Sequence, residues 1–224
     1  MHQKIEKYKN SEKLTKWVRY FLYLQIIFAG IALLSNYMEY QLLSAYQNGA
    51  YPSQELAVAD GKASDQRQRI IAIAYLVVFV ISGFLILKWI YRANYNARQL
   101  GAKEMAFTPG WSVGWYFVPI FMLWKPYQAM KEIWKASHKP TEWMIVSASP
   151  SPILGWWWFF WIVTGVIDNV SFRYSMKAEG LKELMTLNVI NQASEVFSIP
   201  LALITLALVN QIYAAQLRNV QGCS

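Results

Sequence analysis

Between Trp111 and Trp124 the chain is apolar and aromatic (WSVGWYFVPIFMLW) over a length that fits no ordinary membrane crossing. About 14 residues at 1.5 Å each reach about 21 Å, against a hydrocarbon core of roughly 30 Å. Pro109 and Gly110 break any helix just ahead of the segment, and Pro119 interrupts it from within. Lys103 and Lys125 flank it. A segment with basic residues at both ends is expected to enter the bilayer and return to the side it came from.

The rest of the chain has the composition that such a segment needs. Of 224 residues, 55% are hydrophobic and only 15% are charged, below the quarter or so of a soluble domain. Four apolar runs are free of charge: Tyr20 to Met38, Ile70 to Leu87, Pro152 to Ile167 and Val196 to Leu217. With helical flanks and tilt, each has spanning length. A soluble all-helical protein with a large core is the alternative, and runs of this kind disfavour it. The basic region Met1 to Arg19 is long, and so is the run behind it, so a permanent first span is expected here and not a cleaved signal.

The chain carries a net charge of +8, yet no nucleic-acid recognition motif accompanies it. The Lys and Arg residues sit beside the apolar runs, where they set topology and meet anionic headgroups. With four spans and a cytoplasmic N-terminus, fifteen of the 21 Lys and Arg residues fall inside and six outside. If residues 105–124 span as well, the split is thirteen to eight and the C-terminus lies outside. The four-span arrangement obeys the positive-inside rule better. Trp17, Trp89, Trp111, Trp124, Trp134 and Trp156 to Trp158 then fall near the inner boundary, with Tyr37, Tyr40, Tyr75 and Tyr174 near the outer one.

These readings predict an all-α fold. It is a polytopic membrane helical bundle of four transmembrane helices (about 17–38, 70–91, 152–172 and 195–217) in one integral membrane domain, 1–224, with a basic cytoplasmic N-terminus over 1–16. A re-entrant or short broken third apolar segment covers about 109–124. An interfacial amphipathic helix covers about 125–138, with Tyr127, Met130, Ile133 and Trp134 on one face and Lys131, Lys135 and Lys139 elsewhere; packing on neighbouring helices is the bland alternative. The polar stretch from about Glu39 to Gln68 is expected to be a mobile outer loop, and His138 to Pro152 an irregular connection.

Residues 91–135 carry a recognisable pattern. Tyr91-Arg92-Ala93-Asn94-Tyr95-Asn96-Ala97 leads into Phe107-Thr108-Pro109-Gly110-Trp111 and Gly114-Trp115-Tyr116-Phe117-Val118-Pro119-Ile120. Leu123-Trp124-Lys125-Pro126-Tyr127-Gln128-Ala129-Met130 and Glu132-Ile133-Trp134 follow, and then Gly155-Trp156-Trp157-Trp158. The pattern resembles the bacterial membrane family catalogued as domain of unknown function 4328, over most of the chain after Ile70. The resemblance implies an integral protein of the bacterial cytoplasmic membrane and implies no activity. Members of that family often carry an asparagine where this chain has Met122, which argues against side-chain chemistry at that position.

Chemistry-bearing residues are few. His2 and His138 are the only histidines, Cys223 is the only cysteine, and there is no phosphate loop, HExxH or CxxC. No catalytic residue, metal or cofactor is expected. Asp168 lies within a span, where ionisable groups are functional candidates; solvation near the surface or pairing with Arg173 is the bland reading. Asn188, Asn191, Gln192 and Glu195 recur at helical spacing. With Asp168, Asn169 and Arg173 they are expected to form an outer polar vestibule. Trp111, Trp115, Pro119, Trp124, Lys125, Lys131, Trp134 and Lys135 are the expected contacts to lipid or a partner.

The function expected from this inventory is a non-catalytic membrane scaffold, accessory or regulatory module. It would be multi-pass in the bacterial inner membrane with both termini cytoplasmic. Its expected partners are the bilayer, anionic headgroups and either a second copy or another membrane protein, with no nucleic acid. A small oligomeric transporter or channel subunit is the alternative, because broken segments can line substrate sites. A lipid-modifying enzyme using Asp168 or Glu195 ranks last, for want of a nucleophile–base pair.

Overall fold

The computed structural model describes residues 8–144 and 151–221. Residues 145–150 of the expected irregular connection, and His2, Lys4, Lys7 and Cys223, lie outside the described residues. Six α-helices and no strand occur among those described: α1 (Glu12–Gln47), α2 (Gln54–Gln99), α3 (Trp111–Gly114), α4 (Lys125–His138), α5 (Pro152–Ser175) and α6 (Leu181–Gln221). Of these, α1, α2, α5 and α6 are long and apolar enough to cross a membrane. The fold is therefore an all-α membrane helical bundle with a short broken segment between its second and third long helices. The alternative fifth span has no helix of membrane length among the described residues.

The expected mobile loop from Glu39 to Gln68 is corrected by the structure, because all but residues 48–53 of it are helical. At 1.5 Å per residue α1 is about 54 Å long and α2 about 69 Å, well beyond a hydrocarbon core of roughly 30 Å. Local chemistry explains the short connection. Gly49 has φ 64°, and the Gly49 and Ala50 amides donate back to Tyr46 O (3.2 Å) and Ala45 O (3.0 Å). This is a Schellman end, which places glycine where a Cβ would be strained. Ser53 Oγ then accepts the Leu56 N–H at 3.2 Å and opens α2. Tyr46 donates to Ala57 O (2.6 Å), tying the two helices together, and Tyr51 ties the connection to α2 through Asp60 (3.0 Å). A second Schellman end closes α2 at Gly101 (φ 115°), where the Gly101 and Ala102 amides return to Arg98 O and Ala97 O.

Two compact units divide the chain. The first gathers the start of α1 as far as Leu22, Ile81–Trp158 and the chain from Ile204 onward. Its core holds Val18, Leu22, Trp89, Ile90, Ile133, Leu154, Leu208 and Ile212. Buried amides join its elements. Asn96 exchanges two hydrogen bonds with the Lys9 backbone (3.1 and 2.9 Å), Trp89 Nε1 donates to Thr15 Oγ1 (3.1 Å), and Gln216 donates to Ala93 O (2.8 Å) and Ser137 Oγ (2.9 Å). The second unit comprises Tyr23–Val80 and Phe159–Leu203. Its outward side chains, among them Leu34, Ile70, Leu76, Phe79, Val166 and Val196, are exposed and apolar, as side chains facing lipid must be.

Candidate functional site

The first unit carries a proline-broken aromatic wedge. Thr108 Oγ1 accepts the Trp111 N–H (3.2 Å) at its start, and α3 lasts only to Gly114. A 3₁₀ turn over Trp115–Phe117 follows, then an extended Val118, then a second 3₁₀ turn over Phe121–Leu123. Between them lies a γ-turn centred on Ile120. Its φ and ψ are 67° and −55°, and the Phe121 N–H donates to Pro119 O at 2.7 Å. This is the rare, strained hand of γ-turn, and a β-branched residue in it is an outlier costing about 1–3 kcal/mol. The rings of Trp111, Trp115, Phe121 and Trp124 follow one another at centroid separations of 4.7, 5.2 and 5.3 Å.

The tip of the wedge is apolar and bare. Phe117 is 70% exposed and Ile120 69%, and Phe121, Met122, Leu123 and Trp124 are exposed with them. Part of its backbone nevertheless closes on itself. The amides of Phe121, Met122, Leu123 and Trp124 donate to the carbonyls of Pro119, Val118, Ile120 and Phe121, and Pro119 has no N–H to satisfy.

Beneath the wedge lies a charged clamp. Glu132, on α4 and only 7% exposed, accepts the backbone N–H groups of Ala106 (2.5 Å) and Phe107 (3.1 Å). Arg98 donates to the carbonyls of Met105 (2.9 Å) and Phe107 (2.8 Å) and, through Nε, to Asn94 Oδ1 (3.1 Å). Asn94 also donates to Phe107 O at 2.9 Å. Burial pushes the Glu132 carboxyl above its ordinary range, opposed by the Phe107 and Ala106 amides and by the Arg98 charge. Lys125 Nζ stands 5.6 Å from the Phe107 ring and 5.8 Å from that of Trp115.

Of the expected lipid or partner contacts, Trp111, Pro119 and Trp124 are exposed. Trp115, Lys125, Lys131, Trp134 and Lys135 are half-buried. The apolar face of α4 packs inward, with Ile133 and Ala136 fully buried and Met130 5% exposed. Trp134 donates to Gln211 (3.3 Å) and lies 4.0 Å from the His138 ring. Sequence reasoning missed Glu132, Arg98 and Asn94. The available signal was one acid, Glu132, set between Ala129, Ile133 and Ala136 on the buried face.

The second unit carries a polar seam. Ser194 donates to Asp168, and Ser171 to Asn191 at 2.5 Å. Asn188, only 2% exposed, donates to Asn36 O (3.0 Å) and Glu39 Oε2 (2.8 Å), and accepts from Gln192 at 2.6 Å. Gln68 donates to Asn36 Oδ1 (3.2 Å) and Glu39 Oε2 (2.8 Å). Glu195 Oε2 accepts from Ser198 at 3.4 Å. The vestibule residues therefore divide. Asp168 and Asn191 link α5 to α6, whereas Asn188 turns to α1. Asn169 and Arg173 stay exposed on α5 and bond nothing on α6. The pairing of Asp168 with Arg173 does not form. Five residues of α-helix turn them about 140° apart, and the two ion pairs among the described residues are Lys16–Glu12 and Lys139–Glu142. Asn36, Glu39 and Gln68 are members of the seam that sequence reasoning missed. A half-open cavity of about 620 Å³ lies against it, lined among others by Asn36, Glu39, Gln68, Asn188 and Asn191.

Four membrane-length helices, a self-bonded aromatic wedge and an interhelical polar seam define a polytopic integral membrane protein. Residues 53–214 match the family model described as Domain of unknown function (DUF4328), and the chain belongs to that family. No curated protein and no solved structure matches it.

Proposed function

We propose that this protein is a non-catalytic scaffold, accessory or regulatory module of the bacterial cytoplasmic membrane. Its wedge enters the lipid from the side of the termini and returns to it. One observation carries this reading: the tip from Phe117 to Trp124 is exposed and apolar, and its four successive amides are already bonded within it. Lipid offers no partner to a backbone N–H, so the internal bonding of these four amides lowers the cost of placing the tip in hydrocarbon. The strained Ile120 supports the reading too, since strain of this kind concentrates at functional positions. Lys131, Lys135 and Lys139 follow the wedge and suit anionic headgroups. The test is a nitroxide at Ile120→Cys in a Cys223→Ser background, in liposomes. Dissolved oxygen should relax it more than a water-soluble nickel chelate does; the opposite order would sink the proposal.

A second reading is a small oligomeric transporter or channel subunit, and the polar seam with its cavity favours it. A liposome flux assay together with the oligomeric state separates the two readings. A monomer that passes no solute removes transport.

A further inference from the structure

We propose that the cavity of the second unit binds the headgroup of a zwitterionic aminophospholipid. This site is independent of the wedge. The cavity holds about 620 Å³ and brings together Glu39, Asp65 and Arg69 with Leu43, Leu184 and Leu187. Glu39 is held by amides alone. Its Oε2 accepts from Gln68 and Asn188, each at 2.8 Å, and no Lys or Arg among the described residues pairs with it. Two neutral donors fix the carboxylate in place and leave its charge unneutralised. Arg67 directs its Nε and Nη2 to Ser35 (3.1 Å) and Ser64 (2.9 Å) and forms no ion pair with Glu39.

Position decides the ligand. Glu39 directly follows the apolar run that ends at Met38, and Arg69 directly precedes the run that begins at Ile70. Both charges therefore stand where hydrocarbon gives way to headgroups. Guanidinium is the group best shaped to take two phosphodiester oxygens. A primary ammonium offers three N–H donors to a carboxylate. The leucines suit the glycerol and the first methylenes. An anionic lipid without an amine would leave Glu39 unanswered and meet like charge at Asp65. A quaternary ammonium has no N–H to donate.

The test reconstitutes the full chain in vesicles of equimolar phosphatidylethanolamine, phosphatidylcholine and phosphatidylglycerol with matched acyl chains. Lipid retained after detergent extraction is then counted by native mass spectrometry. Phosphatidylethanolamine should be retained about tenfold over either competitor. Glu39→Gln can still accept both amides, and it should erase the preference for ethanolamine over choline. Arg69→Gln should lower retention of both of those lipids. No preference in the wild-type chain, a preference for phosphatidylglycerol, or a Glu39→Gln variant of unchanged Tm that still selects ethanolamine would overturn the proposal. Soluble glycerophosphoethanolamine is the source control. It should fail to displace the lipid at equal concentration, and displacement would overturn the lipid assignment.

Discussion

Glu132 shows how much one side chain organises. Two backbone amides, of Ala106 and Phe107, end on its carboxylate, and the chain between α2 and the wedge hangs from them. Glutamine has one acceptor oxygen, so Glu132→Gln leaves one amide unserved and should cost about 1–3 kcal/mol. Alanine strands both and should cost more, read as a lower Tm by tryptophan fluorescence in detergent. The same residue sets a pH dependence. Because burial raises its pKa, the native state keeps a proton that the unfolded chain has already released. Its contribution is full below the ordinary glutamate value of about 4.3 and is lost as pH rises through the raised one. Glu132→Gln should flatten that decline, and an unchanged slope would assign it to another group. Only part of this is legible from residue order. The place of Glu132 among Ala129, Ile133 and Ala136 marks it as unusual, but its partner amides, 25 and 26 positions away, appear only when the fold brings them to it.

At the scale of elements, the wedge and the helix behind it divide their work. α4 buries Ala129, Met130, Ile133 and Ala136 within its own unit, and each large apolar side chain so buried contributes about 1.5–3 kcal/mol. The amphipathic pattern of α4 was visible in the sequence, but periodicity identifies an apolar face and not what covers it. Protein covers this one. The wedge is legible in outline, since Pro109-Gly110 and Pro119 forbid a continuous helix. The γ-turn at Ile120 is not, because sequence pattern would put glycine or asparagine at a positive φ. That mismatch gives a prediction. Ile120→Gly should raise stability by about 1 kcal/mol through relief of strain. It should also reduce the oxygen-induced relaxation of a nitroxide at Met122→Cys, as the tip loses one of its most exposed apolar side chains. A variant that is no more stable would show that Ile120 is not strained.

For the whole molecule, the four apolar runs could be read because lipid dictates composition directly. The ends of the helices could not, because α1 and α2 continue as polar helix past the lipid boundary, where hydropathy carries no signal. The polar seam was half legible: the Asn188 to Glu195 spacing revealed a shared face, while its partners on α1 lie 149 to 152 residues away. The proposed topology makes a direct prediction. Cysteines at Thr108 and Lys139, in a Cys223→Ser background, should both resist an impermeant maleimide on intact spheroplasts and both react after lysis. Labelling of just one of them before lysis would turn the wedge into a crossing. The tight turn at Gly49 has a practical consequence. It joins two rigid rods by six residues, pinned by Tyr46 and Tyr51, so a guest protein spliced in after Pro52 would be carried on a stiff stalk and would report the tumbling of the bundle instead of its own.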